Sequence, residues 1–209
     1  KEFADVYKGD YAHFTLKEIS EQSDTIFRAG ESTKEALKEA ADYLRHAKNI
    51  YLTGSGTSYN ASLVAKFLLA KYAKIKTESI ISSELQFSTD LIEPNSILIA
   101  ISQSGESADV LEAVNIAQKS NCKIISIINS LTSSLARESD IVIGMNCGPE
   151  IGVAATKSFT SQLIILYKII QELNDEIKIN FEEISSSISK ILEEHNQIKK
   201  IASELKEIS

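Results

Sequence analysis

Ile97-Leu98-Ile99-Ala100-Ile101-Ser102-Gln103-Ser104-Gly105-Glu106-Ser107 is an apolar run that ends abruptly in hydroxyls, an amide and a glycine. The apolar part is too short for a helix and does not alternate with polar residues. A strand reads this way when both faces of its sheet are covered. Helical spacing follows from Ala108 to Lys119, so a strand passes into a helix through a polar turn. The first N–H groups of a helix lack intrahelical partners and point out of its start. Glycine lets that backbone approach a ligand closely, and hydroxyls add neutral donors. The turn is therefore predicted to be an anion cup, with phosphate as its occupant. A capped helix start is the alternative, for which Ser104 with Glu106 or Ser107 would serve. Capping needs one hydroxyl, not a Ser-Gln-Ser series around a glycine. Glu106 is expected to face away from the anion, and no Lys or Arg clamp is evident in the run.

The same pattern recurs on both sides of this stretch. Short, continuously apolar runs at 49–53, 77–81, 123–128 and 141–145 are predicted strands. Helical spacing covers 33–47, 59–72, 108–119 and 159–173, with shorter helical pieces at 82–85 and 133–135. In the first of these, Ala36, Leu37, Ala40, Tyr43, Leu44 and Ala47 share one face. This alternation predicts the α/β class: a doubly wound, five-stranded parallel sheet flanked by helices, spanning 30–175. Ligands of such sheets bind beyond the carboxyl ends of the strands. The Ser/Thr/Gly clusters at 53–58, 102–107 and 129–134 all fall there, and their agreement weighs more than any one of them.

Residues 1–29 read as an N-terminal arm and a helix over 16–28, and 176–209 as a C-terminal helix. In the latter, Phe181, Ile184, Ile188, Ile191, Ile198, Ala202 and Leu205 form a stripe at spacings near three and four. A lone stripe of this length is unstable in water. It is expected to pack back on the sheet domain, meet a second subunit, or lead into a second domain. An oligomer or a piece of a longer protein is the expectation, and a start at Lys1 without Met points the same way.

Composition narrows the function classes. The chain has 209 residues, 43% of them hydrophobic, and a formal net charge of -7. That balance argues against bulk binding to nucleic acid or anionic membrane, though not against a local cationic site. No apolar run approaches membrane length and no signal peptide precedes the first strand. Cys122 and Cys147 are far apart and read as reduced, in a cytoplasmic protein. No CxxC or His-rich spacing suggests a metal, and no cofactor is expected.

Two further constellations stand out. Gly54-Ser55-Gly56-Thr57-Ser58-Tyr59 follows a strand, but Tyr59 occupies the third glycine place of the dinucleotide fingerprint, and no P-loop Lys-Ser/Thr is present. The run reads either as a tight turn or as hydroxyl donors for a polar ligand. Glu150 to Lys157 ends another loop, with Glu150 and Lys157 as a candidate base and cation seven residues apart, or as ordinary loop polarity. Its glycine and small residues suit backbone lying against a ligand. His13, His46 and His195 are scattered without catalytic spacing.

LTGSGTSYNA at 52–61, ISQSGESADV at 101–110 and EIGVAATKSFTSQL at 150–163 resemble the sugar isomerase (SIS) domain family. Within it they are most similar to the first SIS domain in the isomerase half of glutamine–fructose-6-phosphate aminotransferases, the glucosamine-6-phosphate synthases. HFTLKEISEQ at 13–22 resembles the opening of that half, so the likeness covers nearly the whole chain. It implies a flavodoxin-like three-layer sandwich and a hexose phosphate ligand of the fructose-6-phosphate or glucosamine-6-phosphate kind. By position, Ser58, Ser102, Gln103, Ser104 and Ser107 would hold the phosphate, and Thr57 with the Val153 backbone would face the sugar. Ala155 stands where the family has a serine, and Ser55 where the synthases often have cysteine. The family's glutamate base, ring-opening histidine and lysine lie in a second SIS domain, its tail or a neighbouring subunit, and no matching segment occurs here. Nor does the synthases' N-terminal cysteine glutaminase domain.

Three functions follow as expectations. The first is the sugar-phosphate-binding part of an amino-sugar synthase or deaminase. The second is a stand-alone isomerase whose site is completed across a homodimer by Glu150, Lys157 or His13. The third is a non-enzymatic sugar-phosphate sensor.

Overall fold

Apolar runs buried on both faces can satisfy their backbone only by pairing side by side, and here five of them do so, all parallel. The computed structural model describes residues 7–206. The first six residues of the expected arm and the last three of the C-terminal stretch therefore lie outside the described residues. The strands are β1 (Ile50–Gly54), β2 (Glu78–Ile81), β3 (Ile97–Ser102), β4 (Lys123–Ile128) and β5 (Ile141–Gly144). Their spatial order is β2-β1-β3-β4-β5. The predicted parallel sheet is thus observed, in the flavodoxin-like order.

The helices are α1 (Phe14–Ser20), α2 (Gln22–Arg28), α3 (Lys34–His46), α4 (Thr57–Leu68), α5 (Ser82–Leu85), α6 (Ala108–Lys119), α7 (Ser134–Arg137), α8 (Lys157–Leu173), α9 (Phe181–Glu193) and α10 (His195–Lys206). Side chains alternate across each strand and so feed two cores. Ile97, Ile99 and Ile101 of β3 pack with Leu52, Ile125 and Ile127 against α3, α4 and α8. Leu98 and Ala100 face the other way, with Ile124, against Val110, Ala113 and Val114 of α6. Cys147 belongs to the first core and Cys122 to the second, and both are free thiols. Burial, followed by the nearby Glu150 charge, pushes the Cys147 thiol up to about 11.

Two predicted helices are divided. The stretch 16–28 becomes α1 and α2, which meet at Glu21. The C-terminal helix becomes α9 and α10, with Glu194 between them leaving helical geometry at ψ 27°. The apolar stripe lapses between Ile191 and Ile198. Helix α9 packs back on the molecule: Phe181, Ile184 and Ile188 lie against the first core, and Ser185 Oγ donates to Ser23 O at 2.9 Å. In α10, Ile198, Ile201 and Leu205 are exposed. Among the described residues, no helix is long and apolar enough to cross a membrane.

Candidate sugar-phosphate site

Strands β1 and β3 are neighbours in register, Gly54 opposite Ile101, so their following loops emerge side by side. The chain then diverges, because α4 covers one face of the sheet and α6 the other. A crevice must open between two loops that part in opposite directions, and this is the topological switch point of the sheet. It is a cleft of about 490 Å³, a size suited to a small polar metabolite.

Seven of the sequence-predicted residues meet in this cleft. Thr57 and Ser58 come from the start of α4, Ser102, Gln103, Ser104 and Ser107 from the loop into α6, and Val153 from the loop before α8. Ser55, Gly56, Ala154 and Ala155 join them. Neither α4 nor α6 has a side chain capping its first N–H groups. Two helix starts thus border the same crevice, each a positive dipole end, although in α4 the Ser58 and Tyr59 N–H groups already donate to Ser55 O and Gly56 O. Ser107 sits at the N-cap position of α6 without capping it, so the capped-start alternative does not describe this turn.

The hydroxyls are oriented by bonds they accept. Ser102 Oγ accepts from the Gly105 N–H at 3.1 Å. Ser104 Oγ accepts from the Glu106 N–H at 3.2 Å. Ser58 Oγ accepts from Gln162 Nε2 at 2.9 Å. A hydroxyl has one proton and two lone pairs. Each of these oxygens accepts one bond and still has its own proton to donate. The lining contains no lysine, arginine, histidine or carboxylate. Among the described residues the cleft therefore offers an anion neutral donors and helix ends, with no titratable side chain in its lining to move a proton near neutral pH.

The loop that carries these donors is braced from below. Gly105 has φ +68°, and a Cβ there would lie 2.6 Å from the Cβ of Ser133. Glu106 turns to the neighbouring helix, its Oε1 accepting from Ser134 N at 2.8 Å. That backbone bond, followed by Ser134's hydroxyl, holds its carboxyl below the usual range. The third hydroxyl cluster, 129–134, was expected to share the site and does not line the cleft. Ser133 instead caps α7, and α7 packs beneath Gly105, with Leu135 N donating to Gly105 O at 3.0 Å.

Glu150 and Lys157, expected as base and cation, do not line the cleft either. The Glu150 carboxylate accepts from Thr156 N at 2.9 Å and Ser158 N at 3.2 Å, and from the hydroxyls of both residues. It caps α8 from outside the helix. Lys157 is 2% exposed, and its Nζ lies 2.5 Å from Glu21 Oε2. Their charges serve the loop's own structure, so they are not free to act on a ligand. His46 is exposed on α3, its Nδ1 2.9 Å from Asp42 O.

Two residues of the site were missed by sequence reading. Gln162, 1% exposed on α8, fixes Ser58, while its Oε1 is buried without a hydrogen-bond partner. Its only signal was an amide inside an apolar helical run. Glu18, on α1, accepts bonds from the loop carrying Val153, and its one signal was its place in the HFTLKEISEQ stretch.

Comparison with known proteins agrees with this fold. The profile of the SIS domain family matches residues 43–170. The glutamine–fructose-6-phosphate aminotransferase [isomerizing] of Thermotoga maritima is 38% identical over 97% of this chain, and the chain spans only 35% of that protein's length. The solved C-terminal domain of glucosamine-fructose-6-phosphate aminotransferase from Francisella tularensis superposes with a TM-score of 0.73 at 35% identity, covering 97% of this chain and 60% of that one. A glucosamine-6-phosphate deaminase structure from Thermotoga maritima is 26% identical with a TM-score of 0.62, covering 84% of this chain and 52% of that one.

Proposed function

The chain belongs to the SIS domain family, and from that premise we propose that its cleft binds fructose-6-phosphate as the sugar-phosphate half of a glucosamine-6-phosphate synthase. One observation carries the reading: Ser58, Ser102 and Ser104 each accept a bond from within the protein, still have a proton to donate, and line one crevice at the starts of α4 and α6. The phosphate sits between the α4 and α6 starts, with Gln103 and Ser107 beside it. The sugar runs toward Thr57 and the backbone at Val153. Neutral donors suit a ligand that must be released after each turnover.

Moving a proton between C1 and C2 of the sugar requires an acid/base group near those carbons. The cleft lining has none. These residues bind and orient, and the proton-transfer groups come from a second SIS domain or a neighbouring subunit. In this reading 30–175 is the binding domain, 176–209 leads onward, and the protein works in the cytoplasm. The 26% identical deaminase structure supports the same cleft serving the reverse, ammonia-releasing reaction.

The test is calorimetric titration with fructose-6-phosphate. A hydrogen bond to a charged group contributes about 1.5–3 kcal/mol, so Ser102→Ala with Ser104→Ala should weaken binding at least about tenfold. Unchanged affinity in a folded double variant would refute the cup.

A further inference from the structure

The segment between β5 and α8 has no regular secondary structure, yet it brings Val153, Ala154 and Ala155 to the cleft. Val153 is fully exposed, so burial of its side chain does not place this backbone. Hydrogen bonds to a distant carboxylate do. The N–H groups of Ile151 and Gly152 donate to Glu18 Oε1 at 2.5 and 3.0 Å, and Gly152 N also reaches Oε2 at 3.1 Å. Glu18 is 2% exposed on α1, so its charge is held largely by backbone N–H groups in a buried place. Such charge-assisted bonds are about twice as strong as neutral ones. The fit is close: a Cβ on Gly152 would lie 2.5 Å from Glu18 Oε2 and 2.7 Å from Thr15 Oγ1. At the loop's far end, Lys157 is paired with Glu21, between α1 and α2. The stretch that faces the sugar is therefore anchored at both ends to the two leading helices. The phosphate cup, by contrast, is assembled from the β1–α4 and β3–α6 loops and Gln162.

We propose that Glu18 is a positioning residue for sugar recognition. Through the Ile151 and Gly152 N–H groups it sets the backbone at 153–155 against the sugar, while the phosphate cup stands without it. The proposal rests on the sugar-phosphate reading of the cleft, and it divides the ligand between two independent supports. Displacing α1 loosens the sugar side alone.

The 209-residue chain and its variants are titrated with fructose-6-phosphate and with inorganic phosphate, and amide exchange is read at Ile151 and Gly152. In Glu18→Ala, those two amides should exchange at least about tenfold faster and fructose-6-phosphate affinity should fall about tenfold, with inorganic phosphate affinity within about twofold. Glu18→Gln keeps a carbonyl oxygen in place and should restore most of the loss. If Glu18→Ala does not fold, Gly152→Ala, which pushes α1 from the loop, should show the same selective loss. Equal weakening of both ligands, or unchanged exchange and sugar-phosphate affinity, overturns the proposal. A wild-type chain that binds no fructose-6-phosphate overturns the reading of the cleft instead, a result obtained before any variant is made.

Discussion

Lys157 stands in the run EIGVAATK, where the sequence places a loop cation, yet its side chain is 2% exposed and its charge is matched by Glu21, 136 residues away in sequence. Glu21 also takes Lys17 at 2.5 Å. Burial raises the Glu21 carboxyl, but hydrogen bonds from Lys157 and Lys17, with their charges, outweigh it and hold the group below the usual range. A carboxyl lowered in the folded state contributes stability above its unfolded pKa and loses it as pH falls through the folded value. Glu21→Ala should flatten the acid limb of a stability–pH profile. It should also destabilise at neutral pH by about 3 kcal/mol, because a buried ammonium is left without its partner. Denaturant melts at neutral and acid pH check both, and an unchanged acid limb would remove Glu21 from the account. Spacing along the chain showed a charge but not its partner. The hydroxyl-bearing turn between β3 and α6 was legible because it depends on immediate neighbours: a strand before, a glycine within, a helix after.

At the scale of elements, the C-terminal stripe shows where periodicity stops informing. Ile188 and Ile198 occupy equivalent places in one repeating pattern, but Ile188 packs on the first core and Ile198 is 62% exposed. Ile188→Ala should cost about 1–2 kcal/mol, less than the ~2–5 of a fully buried isoleucine. Ile198→Ala should stay within about 0.5 kcal/mol. A lower Tm for the first, by a few degrees, and none for the second would confirm that α9 is bound to this domain while α10 is not. Equal shifts would contradict it. Helix α6 and strands β3 and β4 were readable nearly to the residue, since an uninterrupted apolar run bounded by polar turns permits one assignment. The break at Glu21 was not readable, because α1 bonds to the loop before α8 while α2 packs on α8 and α9.

On the scale of the molecule, the switch point between β1 and β3 turns two ordinary loops into one cleft, and among the described residues no titratable group lines it. The 209-residue chain should therefore bind fructose-6-phosphate yet show no isomerase turnover in an assay following glucose-6-phosphate or glucosamine-6-phosphate. Robust turnover would show that copies of this chain complete a site together. The sequence by itself determined the class of fold, the five strands and the hydroxyl-rich turns after β1 and β3, because those depend on the period of apolar residues and on local backbone chemistry. Only the tertiary structure decided that the cluster at 129–134 packs beneath the cleft without lining it, that Glu150 and Lys157 are engaged within the protein, and that Gln162 bonds Ser58 and Glu18 bonds the Ile151 and Gly152 N–H groups. The partners of Lys157, Gln162 and Glu18 lie more than a hundred residues away, and distance along a chain carries no record of which side chains burial will bring together.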